Sequence, residues 1–264
     1  QCTVAVGGVT TQVSTDKIAA ALTCARSISE FVESCYLPDV EMLAGAYPDY
    51  LETGRGCSRF LAYGVFGEEG LFPGGVLDES LQLSPLSQER ITEDVKHSHY
   101  ADGSDGRHPS AGETVPAVDK AGAYSWLKAP RYGGEPCEVG PLARMAVAYA
   151  SGSTEVRAAV DAFCQRTGVD LMSLNSTLGR HVARALEASI IARKVQGWVL
   201  KLRAGEPCVL KVEVPQEGAG CGLIGAPRGA LGHWVSIREG KVANYQAVVP
   251  TTWNGSPRDS NGVH

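Results

Sequence analysis

Between Gly218 and Asp259 the chain gathers the residues best able to do chemistry. Gly218, Gly220, Gly222, Gly225, Gly229 and Gly232 crowd one stretch, and side chains reduced to hydrogen let a ligand press against main-chain amides. Within it, Ala226-Pro227-Arg228-Gly229 sets a permanently charged guanidinium, rich in donors, in a loop with little bulk around it. That pattern suits an anion or a polar small ligand. It also suits tight turns with Arg228 in a surface ion pair of small value. Neither a G-x-x-x-x-G-K-[ST] phosphate loop nor a helix-opening G-x-G-x-x-G is present, so a nucleotide is not indicated.

Three other constellations are weaker. His97, His99 and His108 fall in one polar segment, and His-x-His can offer two metal ligands from an extended chain, but no acid or thiol stands at a fixed spacing from them. Ser125, His108 and Asp119 could be nominated as a hydrolase triad, yet no serine sits in a G-x-S-x-G elbow. The eight cysteines form no C-x-x-C pair. Scattered single cysteines read as apolar fillers rather than metal or dithiol sites.

The elements that must position these groups follow from periodicity. Ile18, Leu22, Ala25, Ile28, Val32 and Cys35 share one face of a helix over 16–36, with Thr15 or Asp16 as its cap. A shorter helix is expected over 40–51. Residues 57–66 read as a strand and 67–75 as its turn. From 81 to 114 the periodicity is lost, which predicts a long loop. Helices are expected from 141 to 150, 155 to 166 and 171 to 202, giving a bundle-like part. Near the end, 208–214 reads as a strand, and 233–237 with 242–249 as a hairpin around Arg238-Glu-Gly-Lys241. The fold class is α+β: a mainly helical bundle core with small antiparallel hairpins and sheets.

With 264 residues, 44% hydrophobic and 20% charged, the chain can bury a sizeable core. A net charge of −5 and the absence of a Lys/Arg run give no nucleic-acid footprint. No stretch approaches the roughly 18–20 apolar residues of a membrane helix, so no transmembrane segment is expected. The chain opens on Gln1, and 2–9 reads as a strand and turn already under way, as if cut from something longer or processed.

Ala226-Pro-Arg-Gly-Ala-Leu-Gly-His-Trp234, Asn244-Tyr-Gln-Ala-Val-Val-Pro-Thr-Thr-Trp-Asn254 and Ser256-Pro-Arg-Asp259 resemble the run found in nickel-iron hydrogenase large subunits. Tyr124-Ser-Trp-Leu-Lys-Ala-Pro-Arg-Tyr132, Glu138-Val-Gly-Pro-Leu-Ala-Arg144 and Val6-Gly-Gly-Val-Thr10 look like further signatures of that family, in the right order. The resemblance covers nearly the whole chain and is greatest to the nickel-iron-selenium branch.

The resemblance implies that residues 1–264 are the central part of such a subunit, a helical bundle with peripheral β segments. The N- and C-terminal C-x-x-C segments that hold the metals, one of them with selenocysteine in selenium enzymes, are absent. The complete subunit would be an oxidoreductase that reversibly converts dihydrogen into protons and electrons at a nickel-iron centre with CO and cyanide ligands. This part would supply the centre's surroundings and no side-chain nickel or iron ligand, and would be inactive alone. By the same resemblance, Arg228 sits over the open metal position and is the catalytic residue. Pro227, Val249, Pro250 and Thr251 line the pocket of the diatomic ligands, with the Thr251 hydroxyl donating to cyanide. The carbonyl of Ala247 contributes to a buried magnesium or iron site, and His233 is structural. The implied partner is an iron-sulfur small subunit, and the implied home is periplasmic, with any membrane association made through partners. One departure lies at Gly225, where the family usually carries Glu; its loss is expected to leave Arg228 less well oriented or to alter the proton route. A second reading is a non-catalytic scaffold or electron-transfer subunit that shares the fold without the metals.

Overall fold

The computed structural model describes residues 3–67 and 70–264. The long apolar stripes become a helical layer. Helix α1 (Thr15–Phe31) runs into one π-helical turn, Val32–Tyr36, and then α2 (Leu37–Ala46). Ser14, not Thr15 or Asp16, stands at the N-cap of α1. Beyond strands that occupy residues 60–132 come α3 (Pro141–Ala150), α4 (Thr154–Thr167) and α5 (Thr177–Leu200). Their apolar faces meet in one core containing Val147, Val156, Phe163, Val182 and Ile190, all essentially inaccessible. The expected face of α1 is only half covered: Ala25 and Val32 are buried, whereas Ile28 borders an open groove.

The helix expected over 171–202 is divided. Leu171–Leu174 forms a 3-10 turn whose first amides are met by the Asp170 carboxylate, which accepts from Met172 at 3.0 Å. Ser176 then caps α5 by accepting from the Gly179 amide at 3.1 Å. Side-chain acceptors one residue outside a helix compete with continued helical bonding, so the chain stops and restarts there.

Among the described residues, four small antiparallel sheets complete the fold. Strands β1 (Val4–Ala5) and β2 (Gly8–Val9) form a short ribbon. Strands β3 (Phe60–Ala62), β4 (Gly75–Leu77) and β5 (Leu83–Ser84) form a meander. Residues 68–69 of the turn expected at 67–75 lie outside the described residues, as do residues 1–2. The stretch expected to be one loop from 81 to 114 contains β6 (Ile91–Asp94), paired with β7 (Ala129–Tyr132). Its burial is continuous rather than alternating and includes Glu93 and Asp94, so no period-2 pattern announced it.

The largest sheet has the order β10-β9-β8, with β8 (Gly218–Ala226), β9 (Gly229–Arg238) and β10 (Lys241–Val248). The expected hairpin around 238–241 is present. The glycine-rich stretch before it, expected to be a ligand loop, is β8, hydrogen-bonded residue for residue to β9. Residues 208–214 alternate as a strand should, but among the described residues they pair through an isolated bridge between Val209 and Gly8. They leave Leu210, Val212 and Val214 exposed.

Candidate functional site

The two residues between β8 and β9 are Pro227 and Arg228, because Ala226 pairs directly with Gly229. Arg228 therefore stands at a hairpin tip and is exposed. The tip rests on the N-terminus of α3. A Cβ on Gly229 (φ +139°) would lie 2.5 Å from Val139 Cγ2, and one on Gly140 would lie 3.2 Å from the Arg228 carbonyl oxygen. Neither glycine can be replaced without moving backbone.

Beneath the tip, Arg144 of α3 and Glu187 of α5 form a buried fork–fork pair, with Nε and Nη2 donating to the two carboxylate oxygens at 2.5 and 2.9 Å. The same guanidinium donates to the carbonyls of Ala226 (2.7 Å) and Pro227 (3.0 Å). A second fork, Arg180 to Glu138, has both bonds at 2.7 Å, and Arg180 also donates to the Gly54 carbonyl. On α6 (Pro250–Asn254), the Asn254 amide closes a two-way bridge with the backbone of Val139 at 2.8 and 2.9 Å. The β8–β9 tip, α6 and the N-termini of α3 and α5 thereby surround a cleft of about 630 Å³.

Three of the expected site residues, Pro227, Arg228 and Thr251, line this cleft together. Among the described residues, no hydrogen-bond partner engages the Arg228 guanidinium or the Thr251 hydroxyl, so both are free donors on its wall. Pro250 is buried as the first residue of α6, and Val249 precedes it, partly exposed. Ala247 lies outside the lining, exposed on β10 opposite His233. His233 is half-buried, and its Nδ1 is bonded to the Tyr245 hydroxyl.

Sequence reasoning missed Arg144, Arg180, Glu138, Glu187 and Asn254. The available signal was the spacing Arg180, Arg184, Glu187, a charged stripe on one face of α5 beside its apolar stripe. It also missed a buried charge network. Lys128 Nζ lies 3.2 Å from Glu93 Oε2, from Gln246 Oε1 and from the Glu113 carbonyl. Burial pushes the Glu93 carboxyl above its usual range, and Lys128 partly offsets this. Gln246 carries the network to the residue before Ala247.

The other candidates are not assembled. His97 and His99 bond to the carbonyls of Gly122 and Val118 and stack on Tyr124 and Trp126. Both ring nitrogens of His108 are occupied, by Ser110 and the Gln88 carbonyl, so it forms no triad with Ser125. Among the described residues, no group of three or more His, Cys, Asp or Glu could hold a metal.

Cys57 and Cys137 line the cleft. Burial above all, with Cys57 nearby, pushes the Cys137 thiol up to about 12, so it stays protonated and is neither a ready ligand nor a nucleophile. Brief treatment with iodoacetamide at pH 8 is therefore expected to label exposed Cys24, Cys35 and Cys221 while sparing Cys137 until the protein unfolds. Peptide mass mapping reads the order.

Gly225 sits where a side chain would be crowded. Its amide donates to the Gly64 carbonyl at 2.8 Å, and a Cβ there would meet Val65 Cβ at 3.0 Å. Gly225→Glu is expected to destabilise by about 1–2 kcal/mol, since the obstructing atom is fixed to backbone. Thermal unfolding checks it.

The helix ends and hairpin tip of this α+β chain thus enclose one cleft with a free guanidinium on its wall. The whole chain, 1–264, matches the family model described as nickel-dependent hydrogenase; it belongs to that family. It is 39% identical to the uptake hydrogenase large subunit of Azotobacter chroococcum mcd 1, covering 97% of this chain and 53% of that protein. To the periplasmic [NiFeSe] hydrogenase large subunit of Desulfomicrobium baculatum it is 37% identical over 97% of this chain and 52% of that protein. Among solved structures, an anaerobically purified Dm. baculatum [NiFeSe]-hydrogenase superposes with a TM-score of 0.89 at 36% identity, over 98% of this chain and 55% of that one. The Ni-Fe-Se hydrogenase of D. vulgaris Hildenborough in the reduced state gives 0.88 at 35%, over 97% and 55%. The chain thus spans about half the length of the curated relatives it matches. No helix among the described residues is long and apolar enough to cross a membrane.

Proposed function

We propose that these 264 residues are the central part of a hydrogenase large subunit, forming the wall around a nickel-iron centre whose cysteine ligands lie outside them. The observation that carries this is the pair of free donors, Arg228 and Thr251, on one cleft of a chain in the nickel-dependent hydrogenase family. The donor set fits the centre's surroundings and not its coordination: a guanidinium, a hydroxyl and proline rings face the cleft, while the buried Cys137 thiol is held protonated. When bound, the centre supplies two-electron cleavage of dihydrogen into protons and electrons.

This chain's residues then have distinct tasks. Arg228 presents fixed positive charge where charge develops, the form of electrostatic help that needs no reorganisation during reaction. The Thr251 hydroxyl would donate to a cyanide nitrogen of the bound centre. Pro227 on the cleft wall, with Val249 and Pro250 leading into α6 behind Thr251, would keep water from the CO and cyanide ligands, which strengthens each such interaction. The carbonyl of Ala247, exposed on β10 next to the Gln246–Lys128–Glu93 network, would supply one ligand of a magnesium or iron site whose other ligands lie outside these 264 residues. The electrons leave to an iron-sulfur small subunit in a heterodimer, and the setting is periplasmic, with selenium at nickel as in the selenium-containing relatives.

Protein purified from its native source with its co-purifying partner, assayed for dihydrogen-dependent reduction of a viologen dye, is expected to turn over. A natively purified complex that reduces no dye under dihydrogen and evolves none from reduced dye would overturn the reading in favour of a scaffold.

A further inference from the structure

We infer that Arg144 and Glu187 form a positioning pair that sets the Arg228 hairpin tip in its working geometry. The inference rests on the reading of Arg228 given above. Two-residue hairpin loops match the twist of their strands when the first central residue has positive φ. Pro227 occupies that position, and the proline ring holds φ near −65°. Arg228 is likewise not among the positive-φ residues. The turn is therefore of a kind that splays its strands, and something outside the hairpin must hold it.

Arg144 is placed to do so. Of its five N–H groups, some face the Glu187 carboxylate and others the carbonyls of Ala226 and Pro227, the two peptide units immediately before Arg228. Glu187 neutralises the guanidinium and fixes its plane, so the donors to the turn have one orientation only. Both members are nearly inaccessible, at 4% and 6% exposure, which removes water as a competing partner for those carbonyls. At the N-terminus of the same helix, the Arg228 carbonyl abuts Gly140 and Gly229 abuts Val139. The backbone on either side of Arg228 is thus held against α3 while its side chain remains free in the cleft. This holding does not depend on a carboxylate at residue 225, so a lost Glu there does not by itself release the turn.

The test is Arg144→Lys in the holoenzyme, with amide hydrogen exchange and steady-state kinetics measured on the same preparation. Lysine keeps the charge but lacks the planar fork that reaches a carboxylate and two carbonyls together. Exchange at the amides of Ala226, Arg228 and Gly229 is expected to quicken at least tenfold, with α3, α4 and α5 otherwise unchanged. kcat is expected to fall roughly 100-fold, the usual cost of misplacing a reacting group by about 1 Å, with KM for dihydrogen unchanged. Unchanged exchange at the turn, or unchanged kcat, overturns the proposal. Should Arg144→Lys not accumulate, Glu187→Gln carries the same two readouts. If the parent enzyme itself turns over no dihydrogen, the functional reading fails, and the exchange result still decides whether the pair holds the turn.

Discussion

Arg228→Lys is expected to lower dihydrogen turnover by roughly 100-fold or more while moving the unfolding midpoint by no more than about two degrees. The two halves have separate causes. Arg228 is exposed at the β8–β9 tip and, among the described residues, forms no ion pair or hydrogen bond through its side chain, so the fold loses nothing. Its proposed work depends on a planar, spread charge with several donors at one place, which an ammonium on a flexible stem does not reproduce. A turnover assay and a thermal scan on one preparation decide both. A loss of midpoint matching the loss of rate would mean that Arg228 is structural.

Arg131→Met is expected to act on stability instead, lowering it by about 3–5 kcal/mol. Arg131 donates to Asp259 at 2.7 Å, to the Val263 carbonyl at 2.7 Å, to Pro130 and to Ser256, fastening β7 to residues 256–263. Both charges are 3% exposed, and removing one leaves the other buried without its counter-charge. The pair also predicts a pH dependence. Burial pushes the Asp259 carboxyl up, but the bonds from Arg131 and from the Val263 and Asn261 amides outweigh it and leave the group below its ordinary value. A carboxyl lowered by folding contributes stability that is present above its unfolded value, near 4, and is lost as pH falls through the folded value. The parent should therefore lose stability on acidification below about pH 4, and Arg131→Met should lose less over that interval. Denaturant titrations across the acid range give both.

What was legible in the residues was local. Apolar stripes on α1, α3, α4 and α5 repeat at helical spacing, and the turn at 238–241 lies between alternating strands, so the helical layer and the β9–β10 hairpin could be read. Strand β8 could not, because its glycines mimic a binding loop and its order comes from the backbone of β9. The 171–202 helix hid its break because Ser176 and Asp170 act through caps, which leave the apolar spacing unchanged. Pro227, Arg228 and Thr251 were legible through motif resemblance, and they do share a cleft. The groups that hold the cleft together were not, because Arg144 meets Glu187, Asn254 meets Val139 and Lys128 meets Glu93 across 43, 115 and 35 residues. Such pairings depend on the fold, and no spacing rule reaches them.

This cleft is proposed to surround a nickel-iron centre held by segments outside these 264 residues. Infrared spectroscopy of the natively purified complex, with nickel and iron quantified on the same sample, is expected to find both metals and the stretching bands of metal-bound CO and cyanide, with the cyanide bands shifting in Thr251→Val. A complex purified intact that contains neither nickel nor those bands would contradict it.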